Sequence, residues 1–93
     1  MEIEIKIFNS STYTDYNFEN EFQAELQKIG RNILAFNSQL TRERIGFRKK
    51  DMRVVNVKID GAEIEDPYKF NDNISKAVVQ ATENLSLELY GLV

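Results

Sequence analysis

Residues 18–40 read FENEFQAELQKIGRNILAFNSQL, and how this stretch is read decides the fold. Phe18, Phe22, Leu26, Ile29, Ile33, Phe36 and Leu40 recur at spacings of four and three, the repeat of one buried helix face. The spacing predicts a single amphipathic helix from Asp15 to Leu40, roughly 26 residues and about 39 Å long. Thr14 fits its N-cap, with Tyr13 before it and Phe18 four residues after it placed to form a hydrophobic staple. Asn17 is the rival cap. Asp15, Glu19 and Glu21 suit the positive end of the helix dipole. Gly30 falls mid-helix at a cost of about 1 kcal/mol relative to Ala, so it is expected to mark a close packing contact or a bend.

On the N-terminal side, Ile3, Ile5 and Ile7 alternate with Glu2, Glu4 and Lys6, the period of two of a half-buried strand over residues 2–8. Asn9 to Thr12 then reads as a polar turn. On the C-terminal side, Val55, Val57 and Ile59 alternate with Asn56 and Lys58 and run into Asp60-Gly61, a dipeptide that favours a type I′ hairpin turn. A short return strand over Ala62 to Ile64 is expected, ended by Pro67. Asn71 or Asp72 can cap a second helix with Phe70, Ile74, Ala77, Val78 and Ala81 as its buried stripe, closed by Asn84. Leu85, Leu87 and Leu89 alternate with Ser86, Glu88 and Tyr90 in a final strand that runs to the C-terminus.

The order is therefore β-α-β-β-α-β, and each long strand has one apolar and one polar face. The expectation is a single α+β domain over residues 1–93. It is a two-layer sandwich in which two helices cover one face of a mostly antiparallel sheet, in the ferredoxin-like order. A helix of 39 Å would outrun strands of about 23 Å. Its end, carrying Phe36 and Leu40 and followed by Ile45 and Phe47, then needs cover from the loop to Val54 or from a second chain, so a homodimer is one expectation.

The chain has no cysteine and no histidine. Disulfides, thiolate nucleophiles and sulfur-ligated metals are thereby excluded, together with the commonest general base and transition-metal ligand. Carboxylates are plentiful, but none sits in a discernible apolar setting that would raise its pKa for acid–base work. The four glycines are isolated and make no phosphate loop. Asp60, Glu63, Glu65 and Asp66 lack the oxygen spacing of a calcium loop and are read as surface residues of a hairpin. No catalytic residue, metal or cofactor is expected, and so no enzyme.

The N-terminus lacks the basic start and apolar run of a signal peptide, and no apolar stretch approaches the roughly 20 residues of a membrane span. A cytoplasmic location without membrane partners is the resulting expectation. The net charge of −3 is unevenly spread. Arg42 to Arg53, RERIGFRKKDMR, carries about +4 and leaves about −7 for the remainder, which points to two surfaces of opposite sign. This basic segment is expected as a loop after the first helix. The outward sheet face, Glu2, Glu4, Lys6, Phe8, Asn56, Lys58, Ser86, Glu88 and Tyr90, has too few aromatics and too many glutamates to read RNA, and is expected to be solvated or protein-binding.

These features point to a non-enzymatic protein-interaction module, a small adaptor, inhibitor or accessory subunit. Its Asn- and Ile-rich composition is compatible with a phage or mobile element. The candidate partner-binding residues are Phe36, Leu40, Arg44, Phe47, Arg48 and Lys49, apolar anchors beside steering charge. The alternative is nucleic-acid binding through Arg42 to Arg53, with Ile45 and Phe47 interleaved among phosphate-binding cations.

Overall fold

A helix that begins at Asp15 does not reach Leu40, because Gly30 ends it. The computed structural model describes residues 1–8, 15–61 and 66–92. Its elements are β1 (Glu2–Phe8), α1 (Asp15–Gln27), β2 (Ile33–Ile45), β3 (Arg48–Ile59), α2 (Pro67–Asn84) and β4 (Leu89–Leu92). The four strands form one antiparallel sheet in the order β2-β3-β1-β4. The chain is thus an α+β fold of a four-stranded antiparallel sheet and two helices.

Gly30 adopts φ +74°. Its N–H donates to the Gln27 carbonyl at 3.1 Å and the Arg31 N–H to the Leu26 carbonyl at 2.9 Å. This paired closure is the Schellman motif, which needs a left-handed residue that only glycine supplies without steric cost. The chain then reverses and is pinned by Gln23. Its amide donates to Asn32 Oδ1 at 2.9 Å and its carbonyl oxygen accepts from the Ile33 backbone at 2.8 Å. Residues 33–40, expected as helix, therefore run as strand. Asn17, the rival cap, lies inside α1, while Tyr13, Thr14 and the polar turn at Asn9 to Thr12 lie outside the described residues.

The predicted alternation of β1 holds. Ile3, Ile5 and Ile7 are buried, with Ile3 opposite Val57 and Ile5 opposite Val55 on β3. Phe18, Phe22 and Leu26 of α1 and Phe70, Ile74, Ala77, Val78 and Ala81 of α2 join them in one core. The two helices touch each other across it. Stacked Phe18 and Phe22 rings stand 5.9 Å apart, with Phe36 of β2 6.3 Å from Phe18.

Three further expectations shift. The second helix starts earlier than Asn71 or Asp72. Asp66 is its N-cap, accepting from Tyr68 and Lys69 N–H at 3.1 and 3.2 Å, and Pro67 brings a fixed φ suited to the first turn. The final strand starts later, at Leu89, because Ser86 and Leu87 close α2. Their N–H groups donate to the Glu83 and Thr82 carbonyls, with Ser86 at φ 56°. The return strand expected at Ala62 to Ile64 lies outside the described residues, and the strand beside β3 on that side of the sheet is β2.

Candidate functional site

The basic segment expected as a loop is a β-hairpin that outruns the sheet. β1 pairs with β3 only as far as Phe8 opposite Met52. β2 and β3 continue to pair through Arg42/Asp51, Glu43/Lys50, Arg44/Lys49 and Ile45/Arg48. Four further rows and a turn carry this arm about 15 Å past β1. α1, at about 20 Å, is no longer than a seven-residue strand. The overhang expected of a helix therefore belongs to a two-stranded ribbon.

The turn is two residues long, Gly46 and Phe47, with Gly46 at φ +61° and no positive φ at Phe47. That is the pattern of a type II′ turn, whose first central position calls for glycine and whose twist suits antiparallel strands. Phe47 consequently sits at the tip with its side chain fully exposed.

Alternation along the strands sorts the charges by face. Arg42, Arg44, Lys49 and Asp51 project on the helix side, and Glu43, Ile45, Arg48 and Lys50 on the outer side. Both acidic residues are engaged: Asp51 with Arg42 at 3.5 Å, and Glu43 with Lys6 of β1 at 3.1 Å. Lys50 lies over the Phe8 ring, 5.2 Å from its centroid. Arg53, at the root of the arm, meets Asp15 at 3.7 Å. Arg44, Arg48 and Lys49 form no ion pair among the described residues. They give the tip its free positive charge.

The six candidate residues do not form one cluster. Arg44, Phe47, Arg48 and Lys49 come together at the tip. Leu40 lies further down the same face of β2, 54% exposed, and Phe36 is drawn into the margin of the core against Phe18. Phe36 and Arg44 are about 26 Å apart along the strand.

The outer sheet face is not a plain solvated surface. Met52 and Val54 are buried there, outside the main core, and Phe8 and Tyr90 meet edge to face at 5.5 Å. The Lys6–Glu43 ion pair crosses β3 above them, since Lys6 is opposite Val54 and Glu43 opposite Lys50, with Met52 between. The Glu43 carboxylate, as hydrogen-bond acceptor and as charge, raises the Lys6 pKa above its ordinary 10.5, and Glu4 adds to the effect. The sequence hint to this cluster is the apolar pair Met52 and Val54 at a spacing of two, on the face opposite Val55 and Val57.

An open hollow of about 540 Å³ lies at the other end of the sheet, lined by Glu2, Glu4, Ala35, Asn37, Asn56 and Lys58 among others. Its lining is mostly apolar, with Ile3, Phe36 and Val57 beside the carboxylates, amides and one ammonium. Among the described residues no helix is long and apolar enough to cross a membrane, and no group of acidic side chains gathers at metal-binding distance. The sequence matches no protein-family model and no curated protein.

Proposed function

We propose that this chain is a non-enzymatic protein-interaction module whose β2–β3 arm is its docking surface. The observation that carries the reading is the tip: an aromatic ring wholly in solvent, beside three cations that have no ionic partner among the described residues. An exposed phenylalanine adds nothing to folding, whereas in an interface an aromatic anchor ringed by arginine is the usual source of binding energy. The remaining charge steers the approach of a partner with an acidic surface. The about 15 Å reach exceeds the Debye length of about 8 Å at physiological ionic strength, so the acidic body repels such a partner little.

The ferredoxin-like arrangement belongs to the same reading. It is supported by the order β2-β3-β1-β4, in which each helix links two strands that flank a third. A cytoplasmic adaptor or inhibitor is in keeping with the cysteine-free composition.

The test is Arg48→Glu with Lys49→Glu. Both sites are exposed, so the melting temperature should stay within the small range of surface substitutions, while capture of partners from the native host should be abolished. Undiminished capture would sink the proposal. One observation favours a second reading: cations project from both faces of the ribbon, and a two-stranded ribbon fits the major groove of DNA. That reading requires a gel shift at low salt that fades steeply as salt rises.

A further inference from the structure

One edge of the sheet is formed by β2. β2 is thirteen residues long and, among the described residues, has a neighbouring strand on one side only. The opposite edge strand, β4, has four residues. Exposed edges are ordinarily blunted by brevity, proline or charge. Residues 33–41 of β2 have neither proline nor charge, only the bulge between Ile33 and Ala35. Leu34 and Leu40 are 60% and 54% exposed along this edge strand.

The hairpin fixes which backbone groups are open. In a two-residue hairpin the closing pair, Ile45 and Arg48, exchanges both backbone bonds. Alternation then turns the N–H and C=O of Phe36, Ser38, Leu40, Arg42 and Arg44 toward the open edge. The far side of β3 agrees: Met1 and Ile59 exchange both their bonds, at 3.1 and 2.7 Å, as the same alternation requires.

We propose that this edge pairs with the same edge of a second copy, antiparallel and with Leu40 on the two-fold axis. The proposal rests on reading this segment as an interaction surface and names an occupant for its β2 side. Three features make the edge complementary to itself in this register. First, Leu40 meets Leu40 of the second copy, so an exposed apolar side chain is covered by its own image. Second, Arg42, Glu43 and Arg44 fall opposite Ser38, Asn37 and Phe36, charged half against uncharged half. A parallel in-register pairing would set arginine on arginine.

The third feature is a pair of orphaned hydroxyls. Ser38 Oγ and Thr41 Oγ1 are buried with no hydrogen-bond partner among the described residues, a costly state for a polar group. The register brings a donor opposite each, Arg42 for Ser38 and Gln39 for Thr41, within reach after rotation about χ1. About ten ladder bonds would form. The Gly46-Phe47 turn would end beside Leu34 of the second copy. Arg48 and Lys49, on the strand away from the pairing edge, stay free for another partner.

A single-cysteine cross-link tests the register, in a chain with no other cysteine. The axial pair would have Cα atoms about 5.5 Å apart, inside the disulfide range. Oxidised Leu40→Cys should therefore run as a covalent dimer, while Asn37→Cys, about 20 Å from its image, stays monomeric. By sedimentation the unmodified protein should dimerise with rising concentration, Leu40→Lys and Leu40→Glu should each be monomeric, and their mixture should recover the dimer. A monomer at all concentrations, or equal cross-linking at positions 40 and 37, overturns the proposal. Loss of host-partner capture on reversing Arg48 and Lys49 would in that event still uphold the arm as a docking surface. Unchanged capture beside an intact dimer would reject the tip and leave the edge.

Discussion

Replacing Gly30 by alanine isolates the backbone term that separates α1 from β2. A Cβ built there meets no heavy atom within 4 Å, so the substitution brings no clash and fills no cavity. What remains is conformation. An L-residue held at φ +74° pays roughly 1–2 kcal/mol, of which about 0.4–1 kcal/mol is returned because alanine restricts the unfolded chain. The net loss is about 1 kcal/mol, or about 4–8 °C in melting temperature for a domain of this size. Urea unfolding followed by circular dichroism should show a lower midpoint with an unchanged slope. Gly30→Asn should lose less, since asparagine tolerates the left-handed region. A Gly30→Ala protein as stable as the parent, or more so, would refute the view that this φ ends the helix.

Ser86 presents the opposite case, a non-glycine residue at φ 56° in the same capping position after α2. Ser86→Gly should therefore raise stability by about 0.5–1 kcal/mol, read as a higher urea midpoint. Asp66→Ala removes the oxygen that accepts from Tyr68 and Lys69 and should cost about 1 kcal/mol, measured in the same way. The raised Lys6 pKa means that the folded state favours the protonated amine. Its stabilising contribution should be complete below the ordinary lysine value of 10.5 and should disappear as pH rises through the higher folded value. The melting-temperature gap between the parent and Lys6→Gln should thus close only in strongly alkaline buffer; a gap that closes nearer neutrality would contradict the Lys6–Glu43 pairing.

The sequence was most legible where an element has one dry face. Ile3, Ile5 and Ile7 announce β1, and Phe70, Ile74, Ala77, Val78 and Ala81 announce α2, since burial on one side writes a clean period. β2 has no such signature. As an edge strand whose far half leaves the sheet, it buries little, and its Phe36 and Leu40 happen to continue the four-and-three spacing of α1. Only the φ of Gly30 distinguishes the two readings, and a φ leaves no mark in hydropathy. The string β-α-β-β-α-β was nonetheless reached, but with the strand expected second, at Val55 to Ile59, standing third, and with Ile33–Ile45, expected as helix and loop, standing second. Four of the six candidate residues meet at the arm's tip. Phe36 does not, because its apparent place on a free helix end is a place against Phe18.

The two-residue turn also bears on the order in which the molecule assembles. Ile45 and Arg48 are neighbours in sequence as well as in space, so the ladder between β2 and β3 closes with almost no loop entropy, on a timescale of about 1–10 μs for an isolated hairpin. β1 must instead find β3 across a long stretch of chain: the Met1–Ile59 contact flanking their ladder joins residues 58 positions apart. Such a hairpin is marginal alone, so it gains permanence only when β1 and the helices dock on its root. A glycine-to-alanine change at Gly46 should accordingly slow folding more than it speeds unfolding. The ribbon that reaches furthest from the core would then be the template on which the core is laid.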